Sequence, residues 1–193
     1  MIRPNRDPLR SPAFRPPDRF GWLPQLLHWS LALVVMIQLG VSAASLVPGL
    51  LQPPLRGLHQ TLGLALWILA LLLVVWRIYG RYPRPEATRF PWQIAASRIV
   101  STALYALLLV LPPLGYLAAS MTASRVRLFG KLSMPSVPLL PHAELALWIA
   151  TTHRLLAWGF LACILIHLGM ALYHHLVVRD RMLERMLPPR SRA

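Results

Sequence analysis

The chain has 193 residues, of which 56% are hydrophobic and 13% charged, against roughly 25% charged in an average soluble domain. Its net charge is +14 and its mean hydropathy +0.52. Nineteen of the twenty basic residues are arginines, and they lie outside the long apolar runs or toward their ends, a pattern that excludes a nucleic-acid binder and places the chain in a lipid bilayer. The lone cysteine, Cys163, excludes an intramolecular disulfide framework and a cysteine-rich metal or iron–sulfur site. Without a C-x-x-C-H sequence, a covalently attached c-type haem is excluded as well. Cys163 sits inside an apolar run and reads as a small packing residue.

Residues 1–20 form a basic, Pro-rich arm, expected to stay unfolded or to lie on anionic headgroups. The arm carries two aspartates and no small-residue cleavage pattern, so it does not read as a cleaved signal peptide. A single domain over 21–187 follows, with a basic tail at 188–193. Four apolar runs, at about 22–47, 58–79, 97–119 and 147–178, each reach the roughly 20 helical residues that span a bilayer core. They are continuous rather than alternating, so they read as helices and not as strands of a barrel. The fold class is therefore all-α, an integral membrane four-helix bundle. Pro112 and Pro113 are expected to kink or end the third helix. Arg81–Pro91 reads as a Pro-rich turn, and the stretch from Ser120 to Ala146 as an ordered loop with room for a short interfacial helix.

Arginine placement sets the expected orientation. Fifteen basic residues fall in the arm, in the connection between the second and third spans, and in the tail. Five, namely Arg56, Arg125, Arg127, Lys131 and Arg154, fall on the other side. The positive-inside rule then puts both termini in the cytoplasm.

Ionisable residues inside membrane spans are costly and usually face the bundle interior, where they serve a function. His28, His59, His153 and His167 lie within the spans, and imidazole is a common axial ligand of b-type haem iron. His153 and His167 are fourteen residues apart on one helix, which is about 21 Å of rise and about 40° of rotation. One helix can thus present a ligand near each membrane face. By depth, His59 partners His153 at the outer end and His28 partners His167 at the inner end. His174 is the competing inner ligand, but it would lie about 31 Å from His153, at the opposite interface. The other reading of all four is that they hydrogen-bond between helices.

The chain also resembles the bacterial cytochrome b561 family from about Trp22 to Pro189. The resemblance is carried by Gln25-Leu26-Leu27-His28-Trp29, His59 with Gly63, Arg77, and Tyr82-Pro83-Arg84-Pro85. It continues through Tyr105, Leu111-Pro112-Pro113-Leu114-Gly115, Phe129-Gly130, Met134-Pro135, His153, His167, Tyr173-His174-His175 and Arg185-Met186-Leu187-Pro188. It implies two non-covalent haem b groups in one four-helix bundle in the bacterial inner membrane, with iron ligands at His28, His59, His153 and His167. It also implies exchange with the ubiquinone pool and, in some relatives, oxidation of superoxide at the periplasmic face. The chain departs from the family at two places. Arg98 and Ser101 stand where relatives carry histidines, and Arg154 follows His153 where relatives often have glutamate. A substrate site therefore does not carry over.

Several residues have two readings each. Arg56, Arg77, Arg98 and Arg154 either clamp haem propionates or snorkel to headgroups, with Arg154 the first choice as a propionate partner. His174 and His175 either relay protons or are solvated at the interface, and His142 is expected exposed. Gly63, Gly159 and Gly169 admit either a porphyrin or close helix packing. Trp29 and Trp158, in an otherwise interfacial tryptophan set, lie near the ligand helices. Arg125, Arg127 and Lys131 either steer small anions or are ordinary loop charges. Two further functional readings compete. One is a membrane-anchor cytochrome subunit serving a partner dehydrogenase or hydrogenase. The other is a haem-free channel or transporter with histidine proton relays, which no inverted repeat or broken helix supports.

Overall fold

A computed structural model of the chain describes residues 19–49, 52–80, 91–121, 127–129, 132–135, 143–181 and 183–187. Four long helices dominate it: α1 (Trp22–Ala44), α2 (Gln52–Tyr79), α3 (Pro91–Met121) and α4 (Ala143–Tyr173). Each is long and apolar enough to cross a membrane. The arm up to residue 18, the connection at 81–90 and the tail from 188 lie outside the described residues.

The helix bounds differ from the sequence expectation where prolines stand. α2 begins at Gln52 and α3 at Pro91, each six residues before the expected start. A proline in the first helical turn removes an N–H that has no acceptor there and presets the backbone angle, so Pro53-Pro54 and Pro91 open helices. Pro112 and Pro113 do not end α3, which continues to Met121. Pro113 has no N–H for the Leu109 carbonyl four residues back, and the Trp67 indole N–H donates to that carbonyl instead, at 3.1 Å. A neighbouring helix thus supplies what the proline withholds.

Successive helices pack side by side and antiparallel: α1 on α2, α2 on α3, and α3 on α4. The buried core lies midway along the bundle and draws on all four helices, through Leu31, Val35, Leu66, Ala70, Leu108, Leu111 and Phe160. α4 makes no comparably close backbone approach to α1 or α2, and the side chains of the candidate site are among those that cross that separation.

Among the described residues of the connection from Ser120 to Ala146, one end of the bundle carries a small hairpin. Strands β1 (Arg127–Leu128) and β2 (Leu132–Ser133) pair antiparallel, with Leu128 opposite Leu132. Phe129, in the left-handed region at φ 51°, starts the turn. Its N–H donates to Thr61 Oγ1 at 3.0 Å, docking the hairpin on α2. The Tyr116 hydroxyl donates to the Pro135 carbonyl and ties the same loop to α3.

At the opposite end, the terminal end, the chain folds back under α1. α4 relaxes into a π-helical turn at His174–Val178, closed by Arg179 in the left-handed region, and a short 3-10 turn follows at Glu184–Met186. The buried Gln25 side-chain amide donates to the carbonyls of Phe20, Arg185 and Leu187 at 3.0, 3.3 and 3.2 Å. The Trp29 indole donates to the Met186 carbonyl at 2.9 Å. Gln25→Leu removes every one of the amide contacts while keeping the bulk. It is expected to cost about 1–3 kcal/mol and to expose the chain after Arg181 and Arg185 to trypsin; thermal unfolding and limited proteolysis check both.

Candidate functional site

On α4 the residues His153, Phe160 and His167 recur every seven positions, and His174 continues the series into the π-turn. Seven residues are about 10.5 Å of rise and bring a side chain back to within about 20°. One face of α4 therefore presents an imidazole, a phenyl ring and two more imidazoles at four depths. His153 faces His59 of α2, with ring centroids 6.2 Å apart and planes crossed at 77°. His167 faces His28 of α1, at 6.4 Å and 58°. Phe160 is buried in the apolar layer between the two pairs.

At the hairpin end both rings have one nitrogen engaged. His153 Nδ1 donates to the Leu111 carbonyl at 3.0 Å. His59 Nδ1 lies 2.9 Å from the Gln38 side-chain amide and 3.2 Å from Ser42 Oγ. These contacts leave Nε2 of each ring for another partner. The close approach of His153 to α3 depends on Gly115, since a Cβ there would stand 3.0 Å from His153 Cε1 and 3.3 Å from its Nδ1. The segment Leu111-Pro112-Pro113-Leu114-Gly115 thus supplies an acceptor carbonyl and a gap for the ring.

These separations suit a metal held between two rings. Metal–imidazole bonds of about 2.0–2.1 Å, with about 1.1 Å more to each ring centre, would put two rings that share one metal about 6.2–6.4 Å apart. Among the described residues, no group of three or more His, Cys, Asp or Glu side chains could hold a bare metal ion. A pair of imidazoles alone suits an iron whose remaining ligands come from a flat macrocycle, and α4 stands off from α1 and α2 on that side.

The terminal-end pair is built differently. His28 meets Trp29 edge-on, with centroids 5.5 Å apart, and the Gln25 and Trp29 side chains on either side of it hold the returning tail. Trp29 therefore acts on the tail as well as on the ring. Among the described residues, neither His28 nor His167 makes a ring-nitrogen hydrogen bond. His174, expected at a solvated interface, is instead buried, with Nδ1 2.5 Å from Asp180 Oδ2. That contact, with the Asp180 N–H donating to the His174 carbonyl at 3.2 Å, closes the turn out of α4. His175 is exposed.

The remaining candidates are placed as follows. Arg154 follows His153 but is exposed and makes no hydrogen bond or ion pair among the described residues. Arg56 and Arg98 are likewise exposed near helix ends. Arg77 lies over the Tyr105 ring, 5.7 Å from its centroid, in cation–π contact. Gly63 faces the Gln38 amide, and a Cβ there would be 3.9 Å from its nitrogen, while Gly159 and Gly169 have open space around them. Trp158 is exposed and Cys163 half-buried. Arg125, Lys131 and His142 lie outside the described residues, as does the Arg127 side chain. Sequence reasoning missed Gln38, Phe160 and Asp180 and the ring contact at Gly115. The seven-residue series pointed to Phe160, and a glutamine within an apolar run pointed to Gln38; nothing local pointed to Asp180.

Comparison with known proteins agrees with this architecture. The family description "Prokaryotic cytochrome b561" matches residues 19–189. Cytochrome b561 homolog 2 of Escherichia coli is 30% identical over 175 residues, covering 89% of this chain and 92% of the relative. Cytochrome b561 homolog 1 of the same organism is 30% identical over 141 residues, covering 71% and 77%. A probable superoxide oxidase CybB of Yersinia pestis is 28% identical over 170 residues, covering 84% and 92%. The chain belongs to the prokaryotic cytochrome b561 family of haem b-binding membrane electron-transfer proteins.

Proposed function

We propose that the chain holds two b-type haems, one between His28 and His167 and one between His59 and His153, and passes electrons along the bundle between them. The observation that carries this reading is the presence of two facing imidazole pairs at separations that would suit a shared metal, with one ring of each pair on α4 fourteen residues apart. Each haem supplies one-electron exchange between ferric and ferrous iron. The chain's own residues do the rest. Gly115 lets His153 approach α3, and the Leu111 carbonyl fixes its tautomer. The apolar layer around Phe160 keeps water from the path between the sites. Gln25 and Trp29 hold the tail across the terminal end. We assign Arg154, exposed beside His153, to a carboxylate of the hairpin-end haem.

Arginine placement supports a cytoplasmic terminal end and a periplasmic hairpin end. Electrons then enter from a donor at the hairpin end and leave to ubiquinone. The likeness to a probable superoxide oxidase supports superoxide as that donor. Two superoxide anions would each give up one electron and leave as dioxygen. One ubiquinone would take both electrons and two protons to become ubiquinol. A reduced-minus-oxidised spectrum of the purified chain, with a haem-to-protein ratio, tests the core of this reading. Two b-type haems per chain are expected; one or none in folded protein overturns it.

A further inference from the structure

We propose that Arg77 and Tyr105 form the anion site that holds a propionate carboxylate of the terminal-end haem. The inference rests on the ligation reading above. On α2 the residues His59, Gly63, Leu66, Ala70, Leu73 and Arg77 follow one another in alternating steps of four and three, a series that keeps to one face of a helix. That face is the interior one. Leu66, Ala70 and Leu73 are buried, and His59 at the start of the series meets Gln38 and His153. Arg77, at its end, is turned onto α3: its guanidinium carbon lies 5.7 Å from the Tyr105 ring centroid, and the two side chains are hydrogen-bonded. A snorkelling arginine would instead extend past the last turn of α2 toward the headgroups.

A guanidinium has donors only, so the Tyr105 oxygen accepts from it and keeps its own hydrogen for a further acceptor. Two donors thus stand side by side, one of them charged, and an anionic oxygen group satisfies both. Depth says which one. Arg77 is eighteen residues from His59 on α2, about 27 Å of rise, against about 21 Å from His153 to His167 on α4. Helical side chains lean toward their own N-terminus. Arg77 therefore leans back from the terminal end, and Tyr105, on the antiparallel α3, leans toward it. The two meet at the depth of the His28–His167 pair. That pair runs from α1 to α4, while α2 and α3 close the bundle on one side of it. A haem b between these rings carries its propionates on one edge. With that edge turned to α2 and α3, a carboxylate reaches both donors.

The test uses the His153→Ala chain, which isolates the terminal-end haem, and follows haem loss to excess apomyoglobin in detergent. Arg77→Gln is expected to release haem at least about tenfold faster than the parent, the effect of losing a hydrogen bond to a charged group. Tyr105→Phe, which keeps the ring and so carries the same comparison with the least risk to the fold, is expected to release it several-fold faster. Arg77→Lys keeps the charge but not the planar fork and should fall between Arg77→Gln and the parent. The same chains are then reloaded with the dimethyl ester of haem b, which has no carboxylate. Parent, Arg77→Gln and Tyr105→Phe should release the ester at one rate. Parent-like retention of haem in both Arg77→Gln and Tyr105→Phe overturns the inference. So does equal acceleration with haem and ester, which would make the pair a structural contact or a seat for a lipid phosphate. Neither result touches the ligation reading, which fails separately if the unsubstituted chain holds fewer than two haems.

Discussion

Replacing His167 by alanine is expected to halve the haem bound per chain, removing the terminal-end haem and leaving the one at the hairpin end. The two pairs share only α4, and their histidines on it stand about 21 Å apart along the helix. Between them lies a core layer from all four helices that does not depend on either pair. The hairpin-end histidines are held by their own contacts to Leu111, Gln38 and Ser42, none of which involves His167. His174→Ala is the companion experiment. His174 is on the same face of α4 but is taken by Asp180, whereas His167 is the residue that meets His28. Both haems should therefore survive in His174→Ala. Haem loss in His174→Ala with retention in His167→Ala would exchange the two roles and overturn the pairing.

The spans and the matched histidine depths were legible because both rest on short-range regularities. A run of about 20 apolar residues fixes a membrane helix, and a helical repeat fixes which of His153, His167 and their neighbours share a face. The lesser errors came where local chemistry has two meanings. Proline reads as a breaker, yet Pro91 opens α3, and Pro112 and Pro113 sit inside it because Trp67 on another helix satisfies the freed Leu109 carbonyl. What stayed illegible was contact between distant parts of the chain. Gln25 reaches carbonyls 160 and 162 residues away, and nothing in the Gln25-Leu26-Leu27-His28-Trp29 run says that its polar members serve the tail and not a ligand. The hairpin was hidden for the same reason, since its docking rests on the Thr61 hydroxyl of α2 and the Tyr116 hydroxyl of α3. His174 was read by its position near the span end, where solvation is the rule, because its partner Asp180 only returns to it through a π-turn.

Substituting Gly115 by valine is expected to cost the chain its hairpin-end haem while sparing the other. A methyl carbon at this position would already stand 3.0 Å from His153 Cε1, closer than carbon atoms normally pack at about 3.5–4.0 Å. Alanine asks the imidazole to give way by a few tenths of an ångström. Valine adds two methyl groups whose rotation on a helix is restricted, so the ring must swing away and lose its Leu111 acceptor. With His153 displaced this way, His59 would be the only imidazole of the pair left to hold the proposed iron. The alanine variant separates this effect from general damage. Glycine is less favourable than alanine in a helix by about 0.8–1.0 kcal/mol, so Gly115→Ala should fold at least as well as the parent while its hairpin-end haem binds more weakly. Haem-to-protein ratios of two in the parent and one in Gly115→Val, with thermal unfolding of the alanine variant alongside, check both halves. Full haem content in Gly115→Val would show that His153 does not need the gap beside α3 and would remove the reason for glycine at this point of the helix.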